Sequence, residues 1–165
     1  MEKEYKRIKH TFEPIFNKDS KILILGSLPS VKSREEGFYY GHPQNRFWSV
    51  FSSIYNLEIP KTIDEKIKML INNNIAIWDV IESCDIIGSS DSSIKNVIPA
   101  DLSKILNNSN IQNIYANGKT ASKLYKKYSE KNTGIKIIEL PSTSPANATY
   151  TLDRLIEVWK VILKE

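Results

Sequence analysis

A single cysteine, Cys84, stands among the 165 residues, so no disulfide can form within the chain. With only His10 and His42 beside it, the four N or S ligands of a closed zinc site cannot be assembled, and the thiolates of an iron–sulfur cluster are missing outright. A carboxylate-held Mg²⁺ is untouched by that count, but no paired metal-ligand spacing stands out, and no metal or cofactor is expected. No apolar run reaches the roughly 18 to 20 residues of a membrane span. Residues 1–9 carry Glu2, Lys3, Glu4, Lys6, Arg7 and Lys9 where a signal peptide would have an apolar stretch. A cytoplasmic, reducing location is the simplest reading, with no membrane partner. Excess charge is scarce too: 23 Lys and Arg against 19 Asp and Glu leave +4, which permits a nucleic-acid partner without pointing to one. Walker, nucleophile-elbow and dinucleotide motifs are absent, as are internal repeats. What is present, 41% apolar and 25% charged residues, is ordinary globular composition of a length that suits one domain over residues 1–165.

Short apolar runs alternate with amphipathic segments. Residues 21–26 (KILILG) and 75–78 read as buried strands, as do 111–115 and 135–139. Helices are expected at 46–55, with Phe47, Val50, Phe51 and Ile54 on one side, and after the capping-box pattern Thr62-Ile-Asp-Glu65. Further helices are expected at 101–106, after Asn117-Gly-Lys, and at 152–163. Segments 27–45, 83–99 and 141–147 read as loops. This alternation implies an α/β domain, three layers deep, around a four-stranded mostly parallel sheet. In such sheets ligands bind at the carboxyl ends of the strands. The loops opening at Ser27, Asp79, Asn117 and Pro141 therefore share the edge where a site belongs.

The densest string on that edge is Gly37-Phe-Tyr-Tyr-Gly-His-Pro-Gln-Asn-Arg-Phe-Trp48. Aromatic faces beside an amide suit a planar base, stacked and hydrogen-bonded at its edge. Core packing of Phe38, Phe47 and Trp48, with Asn45 capping the next helix, accounts for the same pattern. Asn117-Gly118-Lys119, at a strand-to-helix junction, offers backbone N–H groups to a phosphate or is a plain turn. Ser142, Thr143 and Ser144 could grip a phosphodiester or close ordinary turns. Asp79 is a carboxylate on the right edge, with a cap role as its alternative. His42 is a candidate base or a turn residue, and Cys84 a buried thiol.

At residues 26–48 the sequence resembles the uracil-DNA glycosylase superfamily: a strand, a Gly-x-x-Pro turn, a spacer, then the aromatic His-Pro-x-Asn-Arg-Phe-Trp string. The mismatch-specific uracil/thymine branch carries a catalytic Asn in that turn, where this chain has Leu28 within Gly26-Ser27-Leu28-Pro29-Ser30. The Gly-Ser-x-Pro-Ser turn, the string through Trp48, Trp78-Asp79-Val80, Asp91-Ser-Ser-Ile94 and segment 141–147 are similar to the hypoxanthine-DNA glycosylase family, over nearly the whole chain. The resemblance implies a uracil-DNA glycosylase-like fold, no metal, and release of hypoxanthine from deaminated adenine in DNA. It places Asn45 as the catalytic amide and Tyr40 as the base-stacking aromatic, and Asp79 becomes a second polar contact. Ser27, Leu28, Ser30 and His42 would line the base pocket. Gly118, Lys119, Ser142, Thr143 and Ser144 would hold the phosphates beside the lesion. The scarcity of cysteine separates the chain from the superfamily's iron–sulfur branches. With no lysine placed for a Schiff base, a monofunctional enzyme leaving an abasic site is expected, and a monomer suits it. A mismatch-type uracil or thymine glycosylase, a non-catalytic damaged-DNA-binding module and a small-molecule hydrolase are the competing readings.

Overall fold

The computed structural model describes residues 4–164; residues 1–3 and 165, part of the charged start and of the expected single domain, lie outside it. Four strands, β2 (Ile22–Gly26), β3 (Ile75–Asp79), β6 (Asn113–Asn117) and β7 (Ile137–Leu140), form a fully parallel sheet in the order β3-β2-β6-β7. All five residues of β2 are buried, as its unbroken apolar run requires when both sheet faces are covered. Ile22 and Ile24 face one core, with Phe47, Phe51, Leu155 and Trp159; Leu23 and Leu25 face the other, with Ile105, Ala121 and Tyr125. Helices α2 (Phe47–Ile54), α3 (Ile63–Asn72) and α7 (Leu152–Trp159) supply the first layer, and α4 (Ser103–Leu106) and α5 (Lys119–Tyr128) the second. The three-layer expectation holds.

Local chemistry sets the helix starts. The Thr62 hydroxyl accepts the Glu65 N–H at 3.1 Å, and Glu65 reaches back to the Lys61 N–H at 3.0 Å, one residue before the usual partner of a capping box. Thr151 caps α7 through the Arg154 N–H. The C-terminal segment leaves α-geometry after Trp159 and finishes as a 3₁₀ turn, Lys160–Lys164.

Two expectations are corrected. The segment 27–45 is not loop throughout: it contains α1 (Val31–Glu36), which the Ser30 hydroxyl caps through the Ser33 N–H and Gly37 ends in a left-handed conformation. The segment 83–99 is mostly strand. A second, antiparallel sheet, β1 (Lys6–Lys9), β4 (Ile81–Ile86) and β5 (Lys95–Pro99), runs in the order β1-β4-β5. Its core is small, Ile81, Cys84 and Ile86 with Ile8, Leu28, Ile94 and Val97 packed around them. Register shifts between Ile81 and Ser83 and between Ser83 and Asp85 break the alternation of faces, so no period-2 signal survives in the sequence.

Candidate active site

The chain runs from β2 to β3 on one side and later to β6 on the other, so the crevice outside β2 is where the strand order reverses. Gly26 and Asp79 are register partners there. A side chain at Gly26 has no room: a Cβ would lie 2.4 Å from Asp79 Oδ1 and 3.2 Å from the Tyr40 hydroxyl. The bare glycine backbone lets a carboxylate and a phenol from two other segments converge at the end of the central strand.

Asn45 lies two residues before α2, ahead of the N-cap position Arg46. Its Oδ1 accepts the Phe47 N–H at 2.9 Å and the Thr143 hydroxyl at 2.9 Å. Since the Phe47 N–H can only donate, the oxygen must face the helix and the Nδ2 amide must face away. Thr143 is fully buried and pairs with the Asn117 side chain in both directions: Asn117 Nδ2 donates to its hydroxyl at 3.0 Å, and its own N–H donates to Asn117 Oδ1 at 3.0 Å. A relay from Asn117 through Thr143 to Asn45 thus crosses three loops of the edge. Two donors on its carbonyl oxygen polarise the Asn45 amide and make its N–H a stronger donor.

Arg46 holds the fourth loop. Its backbone N–H donates to the Thr143 carbonyl at 3.0 Å. Its guanidinium donates to the carbonyls of Thr143, Ser144 at 2.8 Å, Asn147 at 3.1 Å and Tyr150. One planar fork thereby fixes the segment 143–150 against the start of α2.

Asp79 is buried and paired with His10, Nε2 to Oδ2 at 2.7 Å, both side chains 4% exposed. His10 lies just beyond β1 and is ringed by Phe12, Tyr39 and Trp78. Its segment is clamped: Trp78 donates to the Phe12 carbonyl, Tyr39 to the Glu13 carbonyl, and Ile15 pairs with Ile77 at the free edge of β3. Tyr40 stands on positive φ (54°), uncommon for an aromatic residue, and stacks on Phe47 with centroids 4.2 Å apart. Burial, then the Asp79 charge, raises the pKa of the Tyr40 phenol and keeps it protonated; the nearby Asn117 amide works the other way. No hydrogen-bond partner completes its buried hydroxyl among the described residues.

The remaining sequence-predicted residues fall around this centre. Ser27 continues from Gly26, its carbonyl accepting the Ile81 N–H. Leu28 packs on the small-sheet cluster of Ile81, Cys84 and Ile86, which gives this side chain an apolar task at a turn position where an amide would be poorly placed. Ser30 spends its hydroxyl oxygen as the α1 cap. His42 accepts the Gln44 N–H on Nδ1 at 3.0 Å, and its carbonyl accepts the Asn45 N–H, so it builds the turn that presents Asn45. Gly118, at φ 101°, opens α5 against Ser142, whose Cβ would lie 3.1 Å from any side chain there. Lys119 is exposed at the first position of that helix. Ser142 and Ser144 accept the N–H groups of Ser144 and Ala146 and keep their own hydroxyl protons to give. Thr143 is a correction: it is buried and its hydroxyl is used in both directions, so it organises the site and its side chain cannot reach a phosphate. The sequence does not single out His10, because a histidine in a charged N-terminal stretch, 69 positions from Asp79, carries no local signal. Among the described residues no group of three or more His, Cys, Asp or Glu side chains converges as a metal ion would need.

Comparison with known proteins bears on this edge. The family model described as the uracil DNA glycosylase superfamily matches residues 13–163. A protein of Methanosarcina acetivorans named hypoxanthine DNA glycosylase is 31% identical over 159 residues, 95% of this chain and 99% of its own length. A protein of the same name from Methanosarcina barkeri is 36% identical over 89 residues, 53% of this chain and 56% of its own. The solution NMR structure of a candidate uracil DNA glycosylase from Methanosarcina acetivorans superposes with a TM-score of 0.77 at 30% identity, covering 93% of this chain and 98% of that one. The matched span takes in the four strands of the central sheet, the loops at their carboxyl ends and the Asn45 relay, and on that ground the chain belongs to the uracil DNA glycosylase superfamily.

Proposed function

We propose that this chain is a monofunctional DNA glycosylase that releases a deaminated base, hypoxanthine first among them, and leaves an abasic site. The observation that carries the reading is the Asn45 amide, its oxygen held by the Phe47 N–H and the Thr143 hydroxyl so that its N–H₂ is turned from the helix. The names of the two Methanosarcina relatives supply the base. No observation favours the mismatch-type alternative, since the turn position of its Asn holds Leu28, packed into the small-sheet core.

The target nucleotide is flipped from the duplex, at a cost of a few kcal/mol that is least for a poorly paired base such as hypoxanthine. Phe47 backs one face of Tyr40, and the base stacks on the other. The bond from C1′ to the base nitrogen breaks with oxocarbenium character. Water adds its oxygen to C1′, and its proton balances the departing base. Asn45 donates to the water or to the negative charge building on the departing base; an amide is no general base, so the gain comes from position and electrostatics. Ser142, Ser144, Gly118 and Lys119 hold the flanking phosphates.

Duplexes carrying one deoxyinosine, uracil or xanthine, incubated with the protein in EDTA, test the reading through released base and alkali-labile strand breaks. Hypoxanthine should be released, and Asn45→Ala should lower the single-turnover rate by about 10²–10³, the usual effect of removing one such donor. A folded protein that releases nothing from deoxyinosine would sink the proposal. An Asn45→Ala variant as fast as wild type would remove the catalytic assignment alone.

A further inference from the structure

Two polar atoms stand beside Gly26. Among the described residues the Tyr40 hydroxyl is buried without a partner, and Asp79 Oδ1 lies on the Gly26 side while Oδ2 is taken by His10. His10 fixes the character of the Oδ1 oxygen. Its Nδ1 accepts the Phe12 N–H at 3.2 Å, so the ring proton sits on Nε2 and points at Asp79. The carboxylate cannot turn freely, because His10 holds one oxygen and the aromatic ring of Phe12, Tyr39 and Trp78 keeps water from the pair. The crevice therefore carries one acceptor-only oxygen, in a fixed place, at the end of the central strand.

We infer that His10 and Asp79 form a base-reading dyad, in which Asp79 Oδ1 accepts the ring N–H that deamination creates and His10 is the positioning residue that keeps this oxygen an acceptor. Adenine presents a bare N1 lone pair at the position where hypoxanthine presents N1–H, and cytosine a bare N3 where uracil presents N3–H. An oxygen that can only accept attracts the deaminated edge and repels the normal one, whose shape is nearly the same. Base-edge discrimination of this kind is strong because the wrong base leaves a buried polar atom unpaired. Without the His10 N–H, Asp79 loses the contact that fixes its carboxyl group; the group can turn, and its selectivity goes with the placed lone pair. The inference rests on the proposed reading that the Gly26 crevice receives the flipped base.

The test compares single-turnover release of hypoxanthine with release of unsubstituted purine, which lacks both N1–H and O6, from otherwise identical duplexes. Asp79→Asn, nearly unchanged in volume, and His10→Phe should each lower hypoxanthine release by about tenfold or more, while release of purine, whose bare N1 meets the same repulsion as adenine's, should not fall and should rise for Asp79→Asn. His10→Gln, which can still donate to Oδ2, should recover part of the preference. Parallel loss on both substrates would mean the pair serves only the fold, and an unchanged preference would mean Asp79 does not touch the base; either overturns the dyad. Asp79→Asn carries the test alone should His10→Phe fail to fold. Wild-type protein that releases no hypoxanthine would instead strike the glycosylase reading itself, a distinct result.

Discussion

Thr143 illustrates how a buried side chain can govern a reaction it never touches. Its hydroxyl accepts a hydrogen bond from Asn117 and donates one to Asn45, and that O–H is the second of two donors, beside the Phe47 N–H, that hold the Asn45 oxygen in place. Thr143→Val keeps the shape and removes both bonds. The half-buried Asn117 N–H₂ then loses its partner, a penalty of about 1 kcal/mol, and Asn45 keeps only the Phe47 N–H. Thermal unfolding should register the loss, and base release should slow on the order of tenfold as the amide loosens. Thr143→Ser, which restores the hydroxyl, should recover most of both. A valine variant that is destabilised yet fully active would show that the Phe47 N–H alone suffices to aim the amide.

Among the elements, α2 does more than cover the sheet, because its entry residues hold both the Asn45 amide proposed to act on the substrate and the loop opposite. Arg46 spans four backbone carbonyls of 143–150, a pattern a planar guanidinium can match and an ammonium cannot. Arg46→Lys should therefore leave the loop tethered at one or two points, raise amide hydrogen exchange selectively over 143–150, and cost on the order of 1–3 kcal/mol. Uniform exchange across the chain would place the defect in the fold. The central strands, α2 and α3 were legible because buried parallel strands and amphipathic helices write their periods directly: KILILG, the Phe47–Ile54 stripe and the Thr62–Glu65 cap all stand where expected, within two residues. The small sheet was not legible. β1 holds a single apolar residue, Ile8, β4 is bulged, and the cross-strand Arg7 contacts to Asp85, Ser83 and Asn96 belong to tertiary pairing. The same reason hid His10: its position follows from β1 pairing with β4, so only a reader of the small sheet could bring it to Asp79. That Asn45, Asp79 and Tyr40 stand at the sheet edge was legible because strand ends and a dense aromatic string mark it, whereas their partners come from segments tens of residues away.

At the scale of the whole molecule, the charge of +4 is less informative than where the cations stand. α5 carries Lys119 at its first turn, on the edge of the candidate site, and Lys126 near its last, with about 1.5 Å of rise per residue between them. The two lysines are about a Debye length apart at physiological ionic strength, so a phosphate beside Ser142 meets one of them and is screened from the other. Backbone N–H groups and the serine hydroxyls of 142–144 supply the rest of the grip, and neutral donors release no counterions. DNA binding should then weaken with salt only gently, with log K falling against log[salt] at a slope of about −1 to −2, as for one or two neutralised phosphates. Lys119→Ala should lessen that slope by about one and weaken binding alike for duplexes with and without deoxyinosine, while Lys126→Ala leaves the slope unchanged. Fluorescence anisotropy across a salt series reads both numbers. A salt-independent affinity would contradict a phosphate grip at this edge, and an equal effect of Lys126→Ala would move the DNA path from the strand ends onto the outer face of α5.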